Sequence, residues 1–364
     1  MKLKYVEGIL MAIIISVILI YSKSISNSIK SGINICLNIL IPSMFVFLII
    51  SDFCQKTGIL NLILKPFGLL CEKLFKLDSS LGPILIFSLI CGYPSGIHLI
   101  SRLVKENKID RKTATRMSYF CVNSGPAFLI GAISFPIFNS IIPGIILFIS
   151  QIAAFFTVGT LCSIGKKLNK QKIFIKNQEK IPAFITSVQN AIKSMTIICG
   201  FTLFFSGIIG LLIQLDIFNI TNHKYLISIV SGLIEVTNGV TFCKQISGIK
   251  MFFILSLITS FGGVCVHCQL RAIAIKAKIS FKKFYFWRIL YCAISVIVSC
   301  YIFYKVKMPM EVFSHSEFAR NISTQNPLSS LSLIILSVAL LCCDKKIDII
   351  IRKLKSLKRK ADLK

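Results

Sequence analysis

Long apolar runs alternate along this chain with short polar stretches that are mostly basic. Runs long enough to cross the hydrocarbon of a bilayer, about 17 to 25 residues by helix rise, fall at 7–23, 33–52, 115–135, 141–164, 184–213, 250–270, 284–304 and 328–343. Two further runs, 82–101 and 225–246, are apolar but interrupted in the middle. The first carries Cys91-Gly92-Tyr93-Pro94-Ser95-Gly96, the second Glu235-Val236-Thr237-Asn238-Gly239. Glycine and proline weaken a helix, and lipid offers no water to the backbone groups that a break sets free. A break at that depth is tolerated where it faces a cavity.

The polar stretches set the orientation. Residues 166–180, the tail 345–364 and the start of the chain are rich in Lys and Arg, which places them on the cytoplasmic side, and the even-handed stretch 305–327 belongs outside. Runs 7–23 and 33–52 return the chain to the inside, and 115–135 with 141–164 must start and finish inside. Run 82–101 therefore enters and leaves from the cytoplasm. In the second half the same parity makes 225–246 enter and leave from outside. The pattern predicts an all-α polytopic membrane protein of two inverted-topology repeats, each with a re-entrant hairpin and a broken helix, the plan of secondary transporters. Its parts are an N-terminal membrane anchor helix (1–30), a first repeat (31–165), a basic cytoplasmic linker (166–182), a second repeat (183–305), an external loop (306–327), and a final membrane helix with a basic tail (328–364).

Composition agrees. Of 364 residues 55% are hydrophobic and 15% charged, with a mean hydropathy of +0.79, far from a soluble domain. The formal charge of +28 would suit nucleic acid, but its confinement to short loops between apolar runs reads as membrane orientation instead. The 14 cysteines lie mostly inside apolar runs and read as small buried hydrophobes. Cys265-Val266-His267-Cys268 has metal spacing without a second ligand pair nearby. The apolar stretch after Met1 to Lys4 resembles a signal peptide but lacks a small-residue cleavage site, so it reads as a retained first helix.

Each interrupted run is followed by a second broken element, Asn123-Ser124-Gly125-Pro126 and Ser260-Phe261-Gly262-Gly263. A half-helix beginning at such a break presents backbone N–H groups and a positive dipole end, suited to a carboxylate or phosphate. Small residues for close helix packing are the plainer reading of the glycines. Ionisable groups read at membrane depth are His98, Lys193, Glu235 and His267. Glu235 is the candidate for coupling a proton or sodium ion, with capping of a half-helix as its structural alternative. Lys193 is close enough to the cytoplasmic edge to snorkel. No nucleophile–base pair, phosphate loop or metal constellation points to an enzyme, and no cofactor is expected.

The order of "GYPSG", "CVNSGPAFLIGAI", "GLIEVTNG" and "SFGGVCVHCQL" resembles the YlbJ family of sporulation integral membrane proteins, also called stage V sporulation protein V, over nearly the whole chain. The resemblance implies a nucleoside-recognition gate domain, with a repeat plan similar to concentrative nucleoside transporters. It further implies a place in the outer forespore membrane, both termini cytoplasmic, where the protein moves dipicolinate from the mother cell toward the spore. Carried over, the first gate motif falls on Gly92, Tyr93, Pro94 and Gly96, with Ser95 between them, and its companion on Asn123, Ser124, Gly125 and Pro126. The second-half counterparts fall on Glu235, Asn238, Gly239, Phe261, Gly262, Gly263 and Gln269, with Thr237 beside them. Where the family often has Ala-Lys after the hairpin glycine this chain has Ile97-His98, which replaces a fixed charge by a titratable one.

The expected substrate is thus a small anion, dipicolinate, whose flat ring and two carboxylates suit facing half-helix ends and an aromatic such as Tyr93 or Phe128. A nucleoside or another small organic anion is the alternative, with Glu235, Asn238 and Gln269 to bind ribose hydroxyls. A non-transporting scaffold for spore envelope assembly is the reading from another class. The lipid bilayer is an expected partner, and a homo-oligomer or accessory sporulation membrane proteins are compatible with the sequence.

Overall fold

The computed structural model describes residues 2–59, 66–168, 179–215 and 224–306. The expected external loop past residue 306, the helix 328–343, the basic tail and residues 169–178 of the linker lie outside the described residues. All regular structure among the described residues is helical. Five helices there are long and apolar enough to cross a membrane: α2 (Ser22–Lys56), α8 (Ile142–Leu161), α9 (Lys180–Gln214), the interrupted Gly248–Lys276 and α14 (Phe284–Val306). Their outward faces stay apolar, as at Phe184, Ile192 and Phe204 on α9 and Phe286, Ile289 and Ile297 on α14. Such continuous exposed apolar surface calls for lipid, and the chain is an integral multi-pass membrane protein.

α1 (Lys2–Ile20) precedes α2, and α3 (Phe67–Phe75) follows it. α4 (Gly82–Cys91) and α5 (Tyr93–Lys105) are separated by Gly92 alone. Gly92 holds φ 83° and ψ −176°, a conformation essentially only glycine enters. The two arms fold back on each other, since a Cβ on Gly96 would sit 3.0 Å from Ser88 Cβ. After α6 (Arg111–Ser118), capped by the Asp110 carboxylate, the chain is non-helical to Gly125 and resumes as α7 (Ala127–Phe138), π-helical up to Ser134.

The second half repeats this order. α10 (Lys224–Ile234) and α11 (Val236–Cys243) meet at Glu235, whose extended backbone (φ −144°, ψ 121°) ends one helix and whose side chain caps the next. Gly239 lies so close to Gly232 that a Cβ would overlap its backbone, which places these arms back to back as well. α12 (Gly248–Phe261) and α13 (Gly263–Lys276) are split by Gly262 at φ 91°.

Long helices from the two halves of the chain pair with each other. α2 lies antiparallel along α9: Ser24 Oγ donates to the Gly210 carbonyl at one end, and Lys56 Nζ reaches Thr186 Oγ1 at 2.8 Å at the other. At 35 residues, each is about 52 Å long against about 30 Å of hydrocarbon. α8 and α14 meet through Ser150 and Ser295, 3.0 Å apart. α12 runs antiparallel to α14, with Phe252 stacked on Phe303 and Ser299 bonded to Ser256.

Two local readings of the sequence change. Residues 24–32 are not a loop between spans but the first turns of α2. Their serines and glycine form a close helix contact rather than a turn, with Ser28 against Gly210 and Gly32 against Ser206. The run 115–135 is broken where the Asn123-Ser124-Gly125-Pro126 motif led one to expect, at the non-helical residues 122–125. The interruptions in 82–101 and 225–246 are also narrower than the motifs suggested. Tyr93 to Gly96 and Val236 to Gly239 are already helical, Pro94 standing in the first turn of α5, where its missing N–H costs nothing.

Candidate functional site

A buried cavity of ≈ 40 Å³ lies where the broken elements meet. Tyr93 lines it from the first helix–break–helix unit and Phe128 from α7. Glu235, Val236 and Thr237 come from the second unit, Cys265, Val266 and Gln269 from α13. Leu40 and Met44 of α2 and Ile198 and Thr202 of α9 complete the wall. By the space one water needs, the cavity holds about three waters.

Glu235 is buried, and three donors converge on its Oε2: Thr237 Oγ1, and the Asn238 backbone N–H and side-chain amide, both at 2.8 Å. Asn238 Nδ2 also reaches Ser206 Oγ at 2.8 Å, tying α11 to α9. Among the described residues no hydrogen bond reaches Glu235 Oε1. One carboxylate oxygen therefore holds the half-helix start, and the other meets no donor among the described residues.

A second polar cluster ties the two halves where their breaks touch. Helix breaks orphan carbonyls that lipid cannot satisfy, and here side chains do so. Arg288 on α14 is fully buried; its Nε donates to the Phe261 carbonyl at 2.8 Å and its Nη1 to the Val122 carbonyl. Tyr93 Oη donates to the Thr259 carbonyl and accepts from Ser124 Oγ, which lies 3.0 Å from the same carbonyl. The Ser124 backbone N–H donates to Gln151 Oε1 at 2.8 Å. The Tyr291 hydroxyl bridges Asn123 Oδ1 (2.6 Å) and the Gln151 carbonyl (2.9 Å), and its ring packs 4.8 Å from the Arg288 guanidinium carbon. His267 Nε2 sits 3.0 Å from the Phe261 carbonyl.

The expected site residues thus separate into groups. Tyr93, Glu235, Thr237 and Gln269 line the cavity; Asn123 and Ser124 belong to the polar cluster, and Asn238 supports Glu235. The glycines are places of backbone approach. A Cβ on Gly125 would lie 2.7 Å from the Ile90 carbonyl and 3.0 Å from Gly92 N, and one on Gly263 3.0 Å from the Gly232 carbonyl. Each broken helix therefore abuts the break of its own hairpin-like unit. Gly96 meets the Cys121 carbonyl, and Gly262 faces the Tyr93 ring. Ser95 Oγ returns to the Cys91 carbonyl across the Gly92 break. The backbone donors expected at the half-helix starts are partly used, at Ser124 by Gln151 and at Asn238 by Glu235. His98 and Lys193 are exposed. Among the described residues no His, Cys, Asp and Glu group comes together as a metal site; Cys265 is buried at the cavity and Cys268 exposed.

Arg288 and Gln151 were not among the sequence candidates. Arg288 is the fifth residue of an apolar helix that follows a basic loop, so it reads as an interfacial charge. The signal available was Gln151, an isolated amide in the uncharged run 141–164.

The fold and site define a multi-pass α-helical membrane protein whose broken helices enclose a buried polar centre. The chain is 27% identical, over 312 residues, to the sporulation integral membrane protein YlbJ of Bacillus subtilis (strain 168), with 74% of this chain and 76% of that one covered. That likeness supports the family resemblance carried by the broken motifs. No protein-family model and no solved structure matches the chain.

Proposed function

We propose that the protein is a carrier that acts in sporulation and moves dipicolinate from the mother cell across the outer forespore membrane. The observation that carries the transport reading is the cavity itself: both halves line it through their broken elements, and a buried carboxylate and a buried guanidinium stand at or beside it. A scaffold has no use for broken helices and unpaired charge at depth, each of which costs stability in lipid. The pairing of α2 with α9 and of α8 with α14 is what an in-plane two-fold axis between inverted repeats produces, so the two helix–break–helix units are read as re-entrant hairpins entering from opposite faces. The gate-domain relation and the forespore membrane follow from the family resemblance, the cytoplasmic termini from the basic start and tail, and the sporulation role from the Bacillus relative.

A nucleoside is the second cargo reading, favoured by Glu235, Thr237 and Gln269 on the cavity wall. Uptake into lipid vesicles that contain only this protein separates the two. Labelled dipicolinate entering in preference to labelled uridine supports the first reading, the reverse order supports the second, and entry of neither removes the transport reading.

A further inference from the structure

Arg288 has a buried charge that the protein does not neutralise. It makes no ion pair with a carboxylate among the described residues, and its Nη2 is buried without a hydrogen-bond partner. Two more buried donors of the same cluster, Asn123 Nδ2 and Gln151 Nε2, are also without a partner. All three belong to side chains joined through Tyr291 and the non-helical segment 122–124. Carbonyl dipoles at Val122 and Phe261 hold the guanidinium in place but carry no net charge. An unpaired cation and three idle N–H groups make a site that lacks an anionic acceptor. Water would satisfy the donors and leave the charge.

The position connects this cluster to the cavity. A Cβ on Gly262 would lie 3.2 Å from Tyr93 Cε1 and 3.5 Å from Arg288 Nη2. The guanidinium edge and the Tyr93 ring thus lie side by side over a residue that has no side chain. Tyr93 is part of the cavity wall, and its ring adjoins the charge across Gly262.

We infer that Arg288, with Gln151 and Asn123, is the carboxylate-binding site of the carrier, reached from the cavity when the Tyr93 ring swings aside. The inference rests on the transport reading and names the chemistry of its cargo: a carboxylate takes the fork of Arg288, and the two amides hold its oxygens. The absence of a side chain at Gly262 leaves the approach open.

The test uses the full chain in lipid nanodiscs and equilibrium binding of labelled dipicolinate, phthalate, succinate and uridine. Trp287, the single tryptophan, adjoins Arg288 in the chain and stacks on Tyr119, so its fluorescence gives a second readout. Arg288→Lys should weaken carboxylate binding on the order of 10- to 100-fold, the loss of a charge-assisted hydrogen bond, and leave any uridine binding unchanged. Arg288 also holds two carbonyls, and a lysine that leaves them unpaired would lower accumulation of the variant. Gln151→Glu covers that case: it keeps the acceptor for Ser124 and adds an internal carboxylate to the cluster that holds Arg288, so it should fold, melt no lower than wild type and lose carboxylate binding. Dipicolinate binding unchanged in both variants, or in Gln151→Glu alone where the lysine variant does not fold, overturns this inference and leaves the transport reading standing. A wild-type chain that binds none of the three carboxylates overturns the inference and the dipicolinate cargo together. Binding of phthalate or succinate but not dipicolinate, lost in the variants, upholds the site and removes the cargo.

Discussion

Removing the Glu235 side chain takes the shared acceptor from three donors, of which Asn238 Nδ2 keeps Ser206 Oγ. Thr237 Oγ1, the Asn238 N–H and Asn238 Nδ2 all converge on Oε2, and Glu235 itself is 4% exposed. A lost N-cap alone costs about 0.5 to 2 kcal/mol. Buried donors left without a partner cost about 1 to 3 kcal/mol each, and they are not additive within one network. Glu235→Ala should therefore destabilise the protein by about 3 to 6 kcal/mol, much of the total of about 5 to 15 that holds a typical protein together. Glu235→Gln keeps one oxygen for the three donors and loses the charge, at a cost of about 1 to 2 kcal/mol. The assay is the amount of folded protein recovered from the membrane and its melting midpoint in detergent. An alanine variant that accumulates and melts like wild type would refute the capping role. The glutamine variant then isolates Oε1: if it only equilibrates cargo where wild type concentrates it, coupling runs through that carboxylate. Unchanged accumulation with the same dependence on pH and sodium leaves Glu235 as a cap alone.

Other consequences can be checked in the same membranes. Gly92→Ala forces a side chain into a backbone conformation reserved for glycine, 3.2 Å from Gly125 N, and should cost about 1 to 3 kcal/mol, read as a lowered melting midpoint. Gly125→Leu should reduce folded protein rather than transport per molecule, because its Cβ meets the Ile90 carbonyl; a well-folded, transport-dead variant would return Gly125 to a binding role. Asp110→Ala should cost about 0.5 to 2 kcal/mol near neutral pH by uncapping α6. Burial works to raise the Asp110 carboxyl, but hydrogen bonds from Thr113 and Lys112 outweigh it and hold it below its ordinary value. The difference from wild type is then full above the ordinary carboxylate range and fades as pH falls through the lowered value, which melting curves across acid pH will show. Cysteines placed at Ser80 and Lys105 in a cysteine-free chain should label from the same, cytoplasmic side, and labelling from opposite sides would remove the first hairpin.

The interruptions were legible because each sets a residue that lipid does not tolerate inside an apolar run: Gly92 with Pro94, Glu235, and the Gly262-Gly263 pair. The polar start of α2 was not legible, since Ser24, Ser28 and Gly32 look the same in a loop as in a close helix contact. Arg288 was missed because depth is a property of the assembled bundle. A cation near the end of an apolar run lies at the membrane surface unless other elements cover it, and here the unwound segment 122–124 and the end of α12 do so.

The central claim, that cargo is exchanged through a site alternately open to each side, is tested most directly by counterflow. Vesicles containing only this protein and preloaded with unlabelled dipicolinate should take up the labelled compound faster, and transiently to a higher level, than unloaded vesicles. Equal uptake with and without preloading, or none in either, would contradict the account.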